Sequence, residues 1–191
     1  MPKSKKERAE EVVFYIASND ELQILNQTST DEEVENFLSQ FWAIRDPDLS
    51  TPENEFMDLY MERWQYASEH FRGHQPGWKT DLGRIHIVYG EPDGDFFGST
   101  DDMRSDDQFG DFDETNPQRS TMVSNPNQSW KIWAYNYTNP LEVSENYTIF
   151  YFEKKATTWR LVWTNNIKEK GYHSSARLPI RAKQIINDYL Q

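Results

Sequence analysis

The chain has 191 residues, a formal net charge of −12, 36% hydrophobic and 15% aromatic residues, and no cysteine. Disulfides, Cys-ligated zinc, iron–sulfur clusters and thiol nucleophiles are therefore excluded, and the acidic balance disfavours nucleic acid phosphates and anionic bilayers as partners. The length fits one domain with a core of its own, and seven Trp, ten Tyr and eleven Phe predict a core built mainly from rings.

The opening is basic at Lys3, Lys5, Lys6 and Arg8, as a solvated terminus often is. Lys5–Ala17 turns from charged to apolar and is expected to be helical. Ser18 with Glu21, and Thr30 with Glu33, have capping-box spacing and start helices over Asp20–Gln27 and Asp31–Ile44. In the latter, Val34, Phe37, Leu38, Phe41 and Trp42 recur on one face. Arg45-Asp46-Pro47 ends it. Thr51-Pro52 is expected to restart the chain, with Thr51 or Ser50 as the cap and proline in the first turn. That helix runs to about Phe71 with Phe56, Leu59, Tyr60, Arg63 and Ala67 on its stripe. Arg63 there is expected to bury its stem and pair with a carboxylate.

Pro76-Gly77 suits a type II turn. Thr80 and Asp81 favour a turn or a helical first turn. Arg84–Tyr89 alternates Ile85, Ile87 and Tyr89 with Arg84, His86 and Val88, which predicts a strand. Gly94–Ser129 is rich in Gly, Ser, Asn, Asp and Pro and is expected to be a long acidic loop, with a turn of helix near Asp101–Gln108. Trp130–Tyr135, Asn146–Glu153 and Trp159–Trp163 read as strands, the last two joined through Lys154–Thr158. Ser174 or Ser175 opens a last helix with Leu178, Ala182, Ile185, Ile186, Tyr189 and Leu190 on one side. The expected fold is α+β: N-terminal helices packed on one face of a three- to four-stranded antiparallel meander, with a C-terminal helix. Its parts are a helical extension over 1–29, a domain over 30–173 with the acidic insert at 94–129, and the closing helix over 174–191.

One stretch, Gly77-Trp78-Lys79-Thr80-Asp81, resembles the signature of the bacterial GWxTD domain family. So do Phe41-Trp42 with Arg45-Asp46-Pro47, then Asn54-Glu55-Phe56, Gly90-Glu91-Pro92-Asp93, and Trp133 with Tyr135. Glu91 stands where that family often has proline. The resemblance implies a domain with no established biochemical activity. It also implies a place in the periplasm or cell envelope if a signal peptide has been trimmed, and in the cytoplasm if the chain is complete as it stands.

Trp78, Lys79, Asp81, Arg84, Glu91 and Asp93 are the candidate ligand-binding residues, since backbone amides beside Lys79 and Arg84 could cradle an anion. The same residues also make sense structurally, with Trp78 as an anchor under the sheet and Asp81 paired to Arg84. Oxygen-ligand metal sites fit poorly. An EF-hand loop begun at Asp93 requires an acid or Asn at 97 and Glu at 104, where the chain has Phe97 and Arg104. The four histidines are scattered, and no nucleophile elbow, P-loop or zincin motif occurs. No catalytic residue, metal or cofactor is expected, and whether the chain is an enzyme stays open. The leading reading is a non-catalytic protein-interaction or structural module with a protein partner, no nucleic acid and no transmembrane segment. The alternative is a small-ligand-binding protein or enzyme with its site around Trp78, Asp81, Arg84 and the Glu91–Asp93 turn. A third is carbohydrate binding through exposed Trp130, Trp133 or Trp159.

Overall fold

The computed structural model describes residues 2–99, 129–137, 146–166 and 184–185. Within these residues the fold is α+β, with five helices followed by a four-stranded antiparallel sheet. The chain divides into two compact units: Met1–Arg72, Pro76–Lys79 and Gly83–Gly90 form the first, Gly73–Gln75, Thr80–Leu82 and Glu91–Gln191 the second.

Three short helices open the first unit, and each begins with the same local chemistry. α1 (Lys5–Val13), α2 (Asn19–Gln27) and α3 (Asp31–Ala43) are capped by Ser4, Ser18 and Thr30. Each hydroxyl accepts the backbone N–H of a glutamate three residues on, and that glutamate's carboxylate accepts the cap residue's own N–H. Two otherwise orphaned amides are satisfied at every start. The apolar sides then meet: Ala9 and Val13 of α1, Leu25 of α2, and Val34 and Phe41 of α3 are one buried cluster, flanked by Phe37, Leu38 and Trp42.

α4 (Glu55–His70) is capped not by Ser50 or Thr51 but by Asn54, whose side chain accepts the Met57 N–H at 2.8 Å. The two hydroxyls are engaged in the preceding turn, Ser50 donating to Asp48 Oδ1 (2.6 Å) and Thr51 to the Asp48 carbonyl (2.9 Å). Tyr60 and Ala67 of α4 are buried with Trp78 and Ile87, and Val12, Tyr15, Trp42, Trp64 and Phe71 pack around them. The Tyr60 hydroxyl donates to the Val12 carbonyl at 2.7 Å, tying α4 to α1. Arg63 lies against the backbone of Gly90, and among the described residues no carboxylate pairs with it.

Arg84–Tyr89, expected as a strand, lies in a helix, α5 (Asp81–Tyr89). Its side chains are buried at Leu82, Ile85, His86 and Ile87 while Val88 is exposed. That places Leu82, Ile85 and His86 at i, i+3, i+4, and the apparent two-residue alternation had no sheet to face. A short apolar run bounded by turn residues does not by itself separate a buried helix from a strand. Gly90 ends α5 at φ 87°, a region open to glycine, and its N–H donates to the His86 carbonyl at 2.8 Å.

In the second unit, β1 (Gly94–Ser99), β2 (Ser129–Tyr137), β3 (Asn146–Lys155) and β4 (Thr158–Thr164) form an antiparallel meander in the order β1-β2-β3-β4. The expected loop thus begins with a strand. Gly98 pairs with Trp130, and a Cβ on Gly98 would come within 2.2 Å of that indole, so a glycine is required where composition suggested a loop. Both sheet faces carry buried side chains: Trp130, Ile132, Ala134, Ile149 and Tyr151 form one cluster with Ile185 against it. Trp133, Tyr135, Phe150, Phe152 and Leu161 are buried on the opposite side. β1 and β4 are opposite edges, which about 4.8 Å per strand would place about 14 Å apart in a flat sheet. Two large rings leaning toward each other can span that gap, and Phe97 and Trp159 meet edge to face at 6.0 Å. Residues 100–128, including the expected helical turn near Asp101–Gln108, lie outside the described residues, as does the expected C-terminal helix apart from Gln184 and Ile185.

Candidate functional site: the signature segment

Gly77, Trp78 and Lys79 form one 3-10 turn, closed by the Lys79 N–H donating to the Pro76 carbonyl at 3.0 Å. The type II turn expected at Pro76-Gly77 is absent, and among the described glycines only Gly90 has positive φ. Gly77 is needed for space instead: a Cβ there would lie 2.1 Å from the Ala67 carbonyl oxygen and 2.9 Å from that of Ser68. The turn is pressed directly onto the backbone of α4.

That approach sets the Trp78 ring among aromatics. It stacks on Trp64 with centroids 6.2 Å apart and meets Tyr15 and Phe14 edge-on at 6.1 and 6.0 Å. Only 4% of Trp78 is exposed. The Tyr15 hydroxyl donates to the Trp78 carbonyl at 2.8 Å, fixing the backbone as well as the ring. These partners belong to α4 and the end of α1, so the indole anchors the helical unit. Lys79 Nζ lies 4.8 Å from the Trp78 ring centroid and 3.7 Å from Glu11 Oε1.

Asp81, the last signature residue, belongs to the sheet unit. Its Oδ2 accepts the backbone N–H of Leu161 at 2.8 Å. The β3–β4 hairpin closes through the two-residue turn Ala156-Thr157, with Lys155 opposite Thr158 and Phe152 opposite Leu161. Counting out from that hydrogen-bonded closing pair, Leu161 falls at a non-hydrogen-bonded position, with its N–H directed away from β3. Asp81 therefore satisfies an amide on the open side of an edge strand, next to the irregularity at Tyr151/Phe152. Asp93 acts similarly: its Oδ2 accepts the Asn136 N–H at 2.7 Å near the end of β2. Arg84 is half-buried and Glu91 exposed.

The motifs before the signature carry the same kind of work. Arg45 donates to the carbonyls of Phe41 (2.9 Å) and Ile16 (3.2 Å) and to Glu21 Oε2 (2.8 Å), with its guanidinium 3.7 Å from the Phe41 ring centroid. One side chain thereby joins α3 to the end of α1 and the start of α2. The Arg45 hydrogen bond is the main reason the Glu21 carboxyl falls from its usual range to about 2. Asn54 Nδ2 donates to the Trp42 carbonyl at 2.8 Å while its oxygen caps α4. Sequence reasoning treated Arg45 as a helix terminator and missed this role; its place just past Phe41 and Trp42, the first buried and the second half-buried, was the available signal.

The model for the GWxTD domain matches residues 2–103, more than half of the chain. The chain belongs to the GWxTD domain family. No curated protein and no solved structure matches it. In this GWxTD domain three of the namesake residues meet groups of the fold: Gly77 the backbone of α4, Trp78 an aromatic cluster, and Asp81 a strand-edge amide.

His86, expected on the polar side of a strand, is buried instead. It is 8% exposed, stacked on Tyr66 at 4.6 Å, with Phe71 edge-on at 5.6 Å; His70 also stacks on Tyr66, at 4.0 Å. Burial first, then the positive charge of Arg63 and His70, lowers its pKa from 6.5 to about 4. The ring is neutral at pH 7. Among the described residues no three His, Asp or Glu side chains gather as a metal centre requires, and no helix is long and apolar enough to cross a membrane. Trp130 and Trp133 are each 2% exposed, which removes them as sugar-stacking platforms and leaves Trp159, half-buried, from that set.

Proposed function

We propose that this GWxTD domain is a non-catalytic interaction or structural module, a scaffold whose signature holds the fold in shape. The observation that carries this is the occupation of Asp81: the one acid of the signature accepts a backbone amide from β4 instead of standing ready for a proton. A general base has to reach a substrate proton. Trp78, Lys79 and Asp93 are likewise engaged within the fold, and Arg45 and Asn54 join helices.

A thermal-shift screen of small anions and metabolites on the wild type and on the Asp81→Asn/Arg84→Ala double variant tests this. A scaffold gives no ligand-induced rise in melting temperature that the double variant abolishes. A ligand that stabilises the wild type but not the folded double variant would establish the alternative, a binding site around Trp78, Asp81, Arg84 and the Glu91–Asp93 turn.

A further inference from the structure

The connection from α3 to α4 exposes apolar side chains without the looseness that usually goes with exposure. Leu49 is 82% and Ile44 78% exposed, and the first turns of α4 add Leu59 at 47% and Phe56 at 36%. Phe56 and Leu59 are three residues apart and share a helix face. The Asn54 amide on the Trp42 carbonyl (2.8 Å) and the Trp42–Phe56 ring contact (6.4 Å) bring the end of α3 beside the start of α4. The turn between them is braced by its own polar groups. Asp46 Oδ1 accepts the Asp48 N–H at 3.0 Å, Asp48 Oδ1 accepts the Ser50 N–H at 3.0 Å, and the Thr51 N–H reaches the Asp48 carbonyl at 3.2 Å. A segment fixed in this way loses little further freedom when something docks on it.

Charge restricts what can dock. Residues 44–62 hold six carboxylates and one basic residue, Arg45, which is already paired with Glu21. A second copy pairing ridge to ridge would bring the same carboxylates together, and like charges facing each other at an interface oppose association. We infer that the ridge of Ile44, Leu49, Phe56 and Leu59 docks a protein segment whose apolar side chains are flanked by Lys or Arg. This rests on the interaction reading above and specifies the partner chemistry. Apolar anchors fill the ridge, and the basic flanks meet the acidic rim.

The test uses the full chain and a labelled helical peptide of Leu and Lys in amphipathic spacing, with a Leu/Glu peptide of the same pattern as control. The Leu/Lys peptide binds the wild type, its affinity falls as salt rises from 50 to 300 mM (roughly the range over which surface charge is screened), and the Leu/Glu peptide does not bind. Ile44→Ser/Leu49→Ser, which melts like the wild type, weakens binding by about tenfold or more. Equal binding by wild type and double variant overturns the inference, as does absence of binding or binding of the Leu/Glu peptide. Backbone amide shifts confined to β1–β4 overturn the location and leave the interaction reading standing. A small ligand lost with Asp81→Asn/Arg84→Ala would overturn that reading itself.

Discussion

The signature turn and the α3–α4 connection are built from the same materials and put them to opposite uses. In both, carboxylates and backbone amides satisfy one another over short distances, as Asp81 does with Leu161 and Asp48 with Ser50. At the signature the apolar group is then packed away, with Trp78 at 4% exposure. On the connection it is left in water, with Leu49 at 82%. Polar self-sufficiency thus does not distinguish a structural segment from a binding one; the fate of the neighbouring apolar side chain does.

The strongest way to break that contrast is to remove the buried indole. Trp78→Ala should lower stability by about 3–5 kcal/mol, read as a shift in the urea midpoint, because Phe14, Tyr15 and Trp64 lose their shared packing partner at once. Next comes pH. The unfolded chain protonates His86 near the ordinary 6.5 while the folded chain resists until about 4. Stability is therefore complete above pH 6.5 and drains as pH falls from 6.5 toward 4, by up to about 3 kcal/mol. Glu21 adds its own loss only below its ordinary 4.5, since its folded pKa is about 2. His86→Phe should flatten the midpoint between pH 6.5 and 5. The smallest effect belongs to the ridge, where Ile44→Ser/Leu49→Ser should change stability by less than about 0.5 kcal/mol per site. A larger loss would mean these side chains are already buried against something.

The helix starts of the first unit were legible because capping is a three-residue affair: Ser18 with Glu21, and Thr30 with Glu33, state it within one turn of chain. The aromatic strands β2 to β4 and their meander were legible for a similar reason, period and composition agreeing over the run. Arg84–Tyr89 was not, because Ile, Val and Tyr favour pleated surfaces in general while the burial of Leu82, Ile85 and His86 was decided by distant packing. β1 was hidden by its composition. Gly98 is explained only by the indole of Trp130, more than thirty residues later. The candidate site was half legible. Trp78 as an anchor and Asp81 as a backbone acceptor were readable types, but their partners, Trp64 and the Leu161 amide, lie far off in sequence.

Whether the signature acid supports the sheet is best decided by urea unfolding of Asp81→Ala beside Asp81→Asn. A carboxylate that holds the Leu161 amide implies a loss of about 1.5–3 kcal/mol for alanine and a clearly smaller one for asparagine, which keeps a neutral acceptor. Alanine and wild-type proteins unfolding at the same urea concentration would show that this aspartate carries no weight in the fold and is free for chemistry.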